Sequence, residues 1–113
     1  MKSLIYVCSP YRGETKKQRR KNIRNARFYC RLVAKQGGIP FAPHLLFTQF
    51  LNEDNIRHRR LGLEMGIETL KRCDELWVFG QPTSGMEGEI ASAMKLGIPV
   101  RWHDEEGRTS MHE

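Results

Sequence analysis

Short apolar runs set between long amphipathic segments constrain this chain more than any other feature. Leu4-Ile5-Tyr6-Val7-Cys8 is rich in strand-forming side chains and is cut off by Ser9-Pro10-Tyr11-Arg12-Gly13, so it reads as a buried strand feeding a loop. Ile39-Pro40-Phe41-Ala42, closed by Pro43-His44, reads as a second strand, and Glu75-Leu76-Trp77-Val78-Phe79, between Asp74 and Gly80, as a third. Residues 98–102 supply the last. Between the first two, residues 15–36 carry Ile23, Ala26, Cys30 and Val33 at three- and four-residue spacing, the apolar stripe of a helix that Gly37-Gly38 ends. Residues 45–51 read as a helical turn, residues 56–73 as a helix after the capping-rich stretch 52–55, and residues 87–96 as a helix ended by Gly97. Strands alternating with helices in this way imply an α/β fold: a parallel sheet of four to five strands, covered on both faces, with right-handed crossovers.

The 113 residues suffice for one domain, expected over 1–102, with 103–113 a polar and loosely ordered tail. No apolar run approaches the ~20 residues that a membrane-crossing helix needs, and residues 1–5 lack the apolar core of a signal peptide; a soluble, cytoplasmic protein without a membrane partner is expected. Cys8, Cys30 and Cys73 form no CxxC and read as free core thiols. No metal-ligand spacing occurs, so neither metal nor cofactor is expected. The net charge is +6, and the span from Arg12 to Lys35 holds ten Lys or Arg against Glu14. Arg20, Arg24, Arg27 and Arg31 recur at helical spacing, which raises nucleic acid as a partner. Few aromatics interleave with them, and a solvated or subunit-facing helix is the simpler reading.

In an open parallel sheet, ligands bind at the carboxyl ends of the strands. The loop after Cys8 offers Ser9, Tyr11, Arg12 and Gly13, suited to a phosphate or carboxylate through bidentate and backbone donors; it is neither a Walker loop nor GxGxxG. The second loop offers His44, which otherwise serves as a structural hydrogen-bonder. The third, Ser84-Gly85-Met86-Glu87-Gly88-Glu89, combines a hydroxyl, glycines that let a ligand approach the backbone, and two carboxylates in the first turn of a helix, where its dipole favours them. Such a carboxylate is either a surface acid or a nucleophile towards an electrophilic carbon.

These loops together, with Ser84-Gly85-Met86, Glu89, Ala91 and Ala93 followed by Gly97-Ile98-Pro99-Val100, resemble the nucleoside 2-deoxyribosyltransferase-like superfamily over about residues 3–102. Within it the chain is similar to a small branch in bacteria and their phages, related to the deoxynucleoside 5′-monophosphate N-hydrolases. The resemblance implies a flavodoxin-like, Rossmann-like three-layer sandwich and cleavage of an N-glycosidic bond through a glycosyl-enzyme intermediate. Glu89, ten residues before Pro99, takes the nucleophile's place. Tyr11 would act beside it on the sugar; Ser9, Arg12, Gly13, His44, Ser84, Gly85 and Met86 would bind a nucleoside or nucleotide; and a homo-oligomer is implied. Two positions depart from the pattern. Ala91 replaces a Gly, and Gly66 stands where the family has an Asp that helps the base leave, with Glu64, Glu87 or Glu68 as substitutes. The alternatives are a non-catalytic binder of a nucleotide-derived ligand on the same fold and a nucleic-acid binder using the basic first helix.

Overall fold

In the computed structural model, which describes residues 1–110, strands β1 (Leu4–Cys8), β2 (Ile39–Phe41), β3 (Glu75–Phe79) and β4 (Val100–His103) alternate with helices α1 (Lys16–Lys35), α2 (Pro43–Leu46), α3 (Ile56–Leu70) and α4 (Ser84–Lys95). A 3₁₀ turn, Phe47–Gln49, continues α2. All strand pairs are parallel and the order is β2-β1-β3-β4, a flavodoxin-like arrangement in which β1 is central and strand order reverses beside it. Among the described residues no helix is long and apolar enough to cross a membrane.

Period-two alternation divides the core into two layers. Tyr6 and Cys8 of β1 and Leu76 and Val78 of β3 face Leu70 of α3 and Met86, Ile90 and Ala93 of α4. Ile5, Val7 and Phe79 face Tyr29 and Val33 of α1. Rings stack through this second layer: Tyr29 on Phe79 with centroids 4.3 Å apart, Phe79 on His103 at 4.5 Å, and His103 on Trp77 at 5.0 Å. His103 also engages the Val78 carbonyl at 3.1 Å, so it serves the core.

Several boundaries move from those read in the sequence. Helix α1 agrees within a residue at each end, because Thr15 caps it by accepting from the Gln18 N–H at 3.0 Å. Its buried face is Asn22, Ala26, Tyr29 and Val33, turned slightly from the expected stripe, with Ile23 and Cys30 at its flank. Helix α3 ends at Leu70 rather than Cys73. Helix α4 begins at Ser84, three residues before the expected start, because the Thr83 hydroxyl caps the Met86 N–H. Strand β4 starts at Val100 and takes in His103, which the sequence reading assigned to the tail. Residues 104–110 turn back: Ser110 N–H donates to the Trp102 carbonyl at 2.9 Å, and Tyr29 donates its hydroxyl to the Glu105 carbonyl at 2.7 Å. The rest of the expected tail, residues 111–113, lies outside the described residues.

Leu70 is fully buried, so Leu70→Ala should cost about 2–5 kcal/mol in urea unfolding. Tyr29→Phe, which removes one hydrogen bond and keeps the ring stack, should cost about 1 kcal/mol.

Candidate active site

The loops at the carboxyl edge of β1, β2 and β3 enclose a cavity of about 520 Å³, walled by residues of all three loops and of α3. The loop after β1 contributes Ser9, Tyr11 and Arg12, α2 contributes His44, and α4 contributes Ser84, Gly85, Met86 and Glu89. Eight of the residues singled out in the sequence therefore meet in one wall. Gly13 does not. It borders a wider depression between the loop and α1, where a Cβ would fall 2.4 Å from Gln18 Cγ; its small size lets the loop close on α1.

Glu89 lies in the second turn of α4, not the first; of the two acids, Glu87 occupies the first turn. What holds Glu89 is β1. Tyr6 donates its hydroxyl to Glu89 Oε2, and the Cys8 thiol points at Oε1 from 3.7 Å. Burial raises the Glu89 pKa above the ordinary carboxylate value, while the hydrogen bonds from Tyr6 and Cys8 pull it down. Burial and the Glu89 charge in turn push both the Tyr6 hydroxyl and the Cys8 thiol up. Both therefore stay protonated and act as donors. Tyr6 escaped the sequence reading, in which it counted as a strand residue. The signal was present in its spacing: Tyr6 and Cys8, two apart, share the face that meets α4.

The loop after β1 is held by another residue missed in the sequence. Asn22, buried in the otherwise basic α1, donates from Nδ2 to the Tyr11 carbonyl at 3.0 Å and the Arg12 carbonyl at 3.4 Å, and accepts from Gln18 Nε2 at 3.2 Å. His44 stacks on Tyr11 with centroids 5.1 Å apart and bonds the Ser9 carbonyl through Nε2 at 3.0 Å. Since a carbonyl only accepts, Nε2 carries the proton. Burial lowers the His44 pKa to about 4, partly opposed by that bond. Ser9 is 1% exposed, and its hydroxyl has no hydrogen-bond partner among the described residues.

The acids proposed to stand in for the Asp absent at Gly66 are elsewhere. Glu64 and Glu87 are exposed and outside the wall, and Glu68 pairs on the surface with Lys71 at 2.9 Å and Arg72 at 3.5 Å. The wall does contain Glu53, from the stretch read only as caps, in an ion pair with Arg19 at 3.8 Å. Gly66 itself faces the cavity, and a Cβ there would sit 3.3 Å from the Tyr6 hydroxyl. Its lack of a side chain leaves room for the Tyr6–Glu89 contact.

The topology defines a flavodoxin-like α/β protein with a cavity at its strand-order reversal. The model of a family described as a domain of unknown function, DUF7768, matches residues 3–103, and the chain belongs to that family. No curated protein sequence matches it. Among solved structures it is similar to a 2-deoxyribosyltransferase from the psychrotolerant bacterium Bacillus psychrosaccharolyticus, with a TM-score of 0.69 and 20% identity over 96% of this chain and 77% of that one. At that identity the likeness shows a shared fold.

Two measurements test the electrostatics. Glu89 holds its proton more tightly folded than unfolded, so stability falls as pH rises from the ordinary carboxylate range through its raised pKa. Glu89→Gln removes this loss: in urea unfolding it should exceed wild type at about pH 8, with the gap shrinking as pH drops toward 4.5. For His44, whose pKa is depressed, stability is present above the ordinary value of 6.5 and is lost as pH falls toward 4. Its ring resonances in NMR should titrate near pH 4 and stay unchanged through 6.5.

Proposed function

We propose that this protein cleaves the N-glycosidic bond of a nucleoside or nucleotide, as a hydrolase or a glycosyl transferase, with Glu89 as nucleophile. The observation that carries this reading is the Glu89 carboxylate, held by Tyr6 and Cys8 in the wall of a cavity at the ligand-binding edge of the sheet. The solved structure of similar fold being a 2-deoxyribosyltransferase supports the same chemistry. Glu89 attacks the anomeric carbon, the base departs with the bonding pair, and a glycosyl ester forms; water or a second base then releases the sugar. Tyr6 orients the carboxylate, and Tyr11, fixed against His44, offers a face to the sugar or base. Arg12, Ser9 and Ser84 supply donors for a phosphate.

Glu89→Ala and Glu89→Gln should lower base release by on the order of 10³-fold or more while ligand binding, measured by calorimetry, stays within a few-fold. Wild-type kcat/KM should rise with pH through the raised pKa of Glu89. Base release at an unchanged rate in both variants would reject the nucleophile's role. Tight binding with no product from wild type would identify the protein as a ligand binder on this fold.

A further inference from the structure

A neutral nucleobase leaves an anomeric carbon readily only if a proton reaches it, and general acid help of this kind is worth roughly 10²–10⁴-fold. The titratable groups in the cavity wall are poor sources of that proton. His44 donates Nε2–H to the Ser9 carbonyl, and with its depressed pKa it stands as neutral imidazole. His58 accepts the Asn52 backbone N–H on Nδ1 at 2.8 Å, a bond that requires Nδ1 to be unprotonated. Tyr6 donates to Glu89. Glu53 is held in an ion pair with Arg19 at 3.8 Å. Burial, and next the Glu53 charge, raise the Tyr11 phenol above its ordinary value, and guanidinium groups do not release protons in this range. Gly66, opposite Tyr6, brings no side chain at all. Among the described residues of this wall, besides Glu89, no carboxyl stands outside an ion pair and neither imidazole is a cation, so a departing base meets no strong acid.

Resting on the glycosidic reading above, we propose that the substrate is a phosphorylated N-glycoside whose base is joined through, or conjugated to, a nitrogen with a fixed positive charge, as in pyridinium or N-alkylated purinium nucleotides. Such a base needs no proton. As a Glu89 carboxylate oxygen bonds to the anomeric carbon, the carbon–nitrogen bond breaks. Its electron pair moves onto the ring nitrogen, cancels the charge, and the base departs neutral. Water then adds to the anomeric carbon, the ester's electron pair returns to Glu89, and the surplus proton of the water passes to solvent. The walls suit this ligand. Tyr11 and Phe47 offer aromatic faces to a cationic ring. Arg12 and Arg59, both in the wall and without an ionic partner among the described residues, face the phosphate.

The test follows base release by chromatography from nicotinamide mononucleotide and 7-methylguanosine 5′-monophosphate, which carry cationic bases, and from AMP, dAMP and dCMP, which do not, using wild type and Glu89→Gln. Expected is Glu89-dependent release from at least one cationic nucleotide, on the order of 100-fold faster than from the neutral ones. With nicotinamide mononucleotide, kcat/KM should show an acidic limb and no basic limb, since no acid has to stay protonated. Glu89-dependent release from the neutral nucleotides within tenfold of the cationic ones, or a bell-shaped profile with nicotinamide mononucleotide, overturns the inference and leaves the nucleophile standing; it would mean that an acid reaches the site from elsewhere, such as a second copy of the chain. No release from either group, or release that survives Glu89→Gln, overturns the glycosidic reading and this inference with it.

Discussion

The contact between β1 and Glu89 ties the site to the core. A carboxylate turned from solvent against a strand costs free energy unless donors meet it. Here the donors are Tyr6 and Cys8, alternate residues of the central strand whose side chains also pack the layer against α3 and α4. The register of β1 between β2 and β3 therefore sets core and site together. A slip of one residue would present Ile5 and Val7 to α4 and leave Glu89 facing hydrocarbon. Such a slip is penalised twice, by lost packing and by a stranded carboxylate, which makes these polar contacts a device for strand register.

Much of this was legible in the sequence, for local reasons. β1 and β3 were readable because a short apolar run between loop formers has few other structures available, and α1 because Thr15 and Gly37 mark its ends chemically. The three loops were readable as the site because a parallel sheet sends them to one edge. What escaped depended on contacts between segments distant in the chain. Tyr6 and Glu89 are 83 residues apart, and only the fold shows that one points at the other. Asn22 sits in a run of Lys and Arg, and nothing local distinguishes an amide buried against the Tyr11 and Arg12 carbonyls from one in solvent. The start of α4 moved because Thr83, Ser84 and Gly85 can all stand at a helix N-terminus, and the choice rests on which hydroxyl reaches Met86.

The positive charge divides in the same way. Arg20, Arg24, Arg27 and Arg31 are exposed on α1 and absent from the cavity wall, whereas Arg12 and Arg59 belong to it. An excess of +6 draws anionic ligands toward the whole surface. The two guanidinium groups in the wall come from distant segments, one after β1 and one on α3.

Helix α3 forms one wall of the cavity, yet its buried residues are Gly66 and Leu70, while Ile56, Leu61 and Leu63 are exposed. Gly62 and Gly66 each lower its intrinsic helical stability by roughly 1 kcal/mol relative to alanine. This layer is thus held to the sheet mainly through its last turns, and the cost of opening it locally is lower than for α1. A ligand seated against Gly62 and Gly66 would make the contacts that their missing side chains do not. Occupancy of the cavity and the order of α3 are then coupled, so that slowed amide hydrogen exchange along this helix would register a bound ligand before any chemistry had taken place.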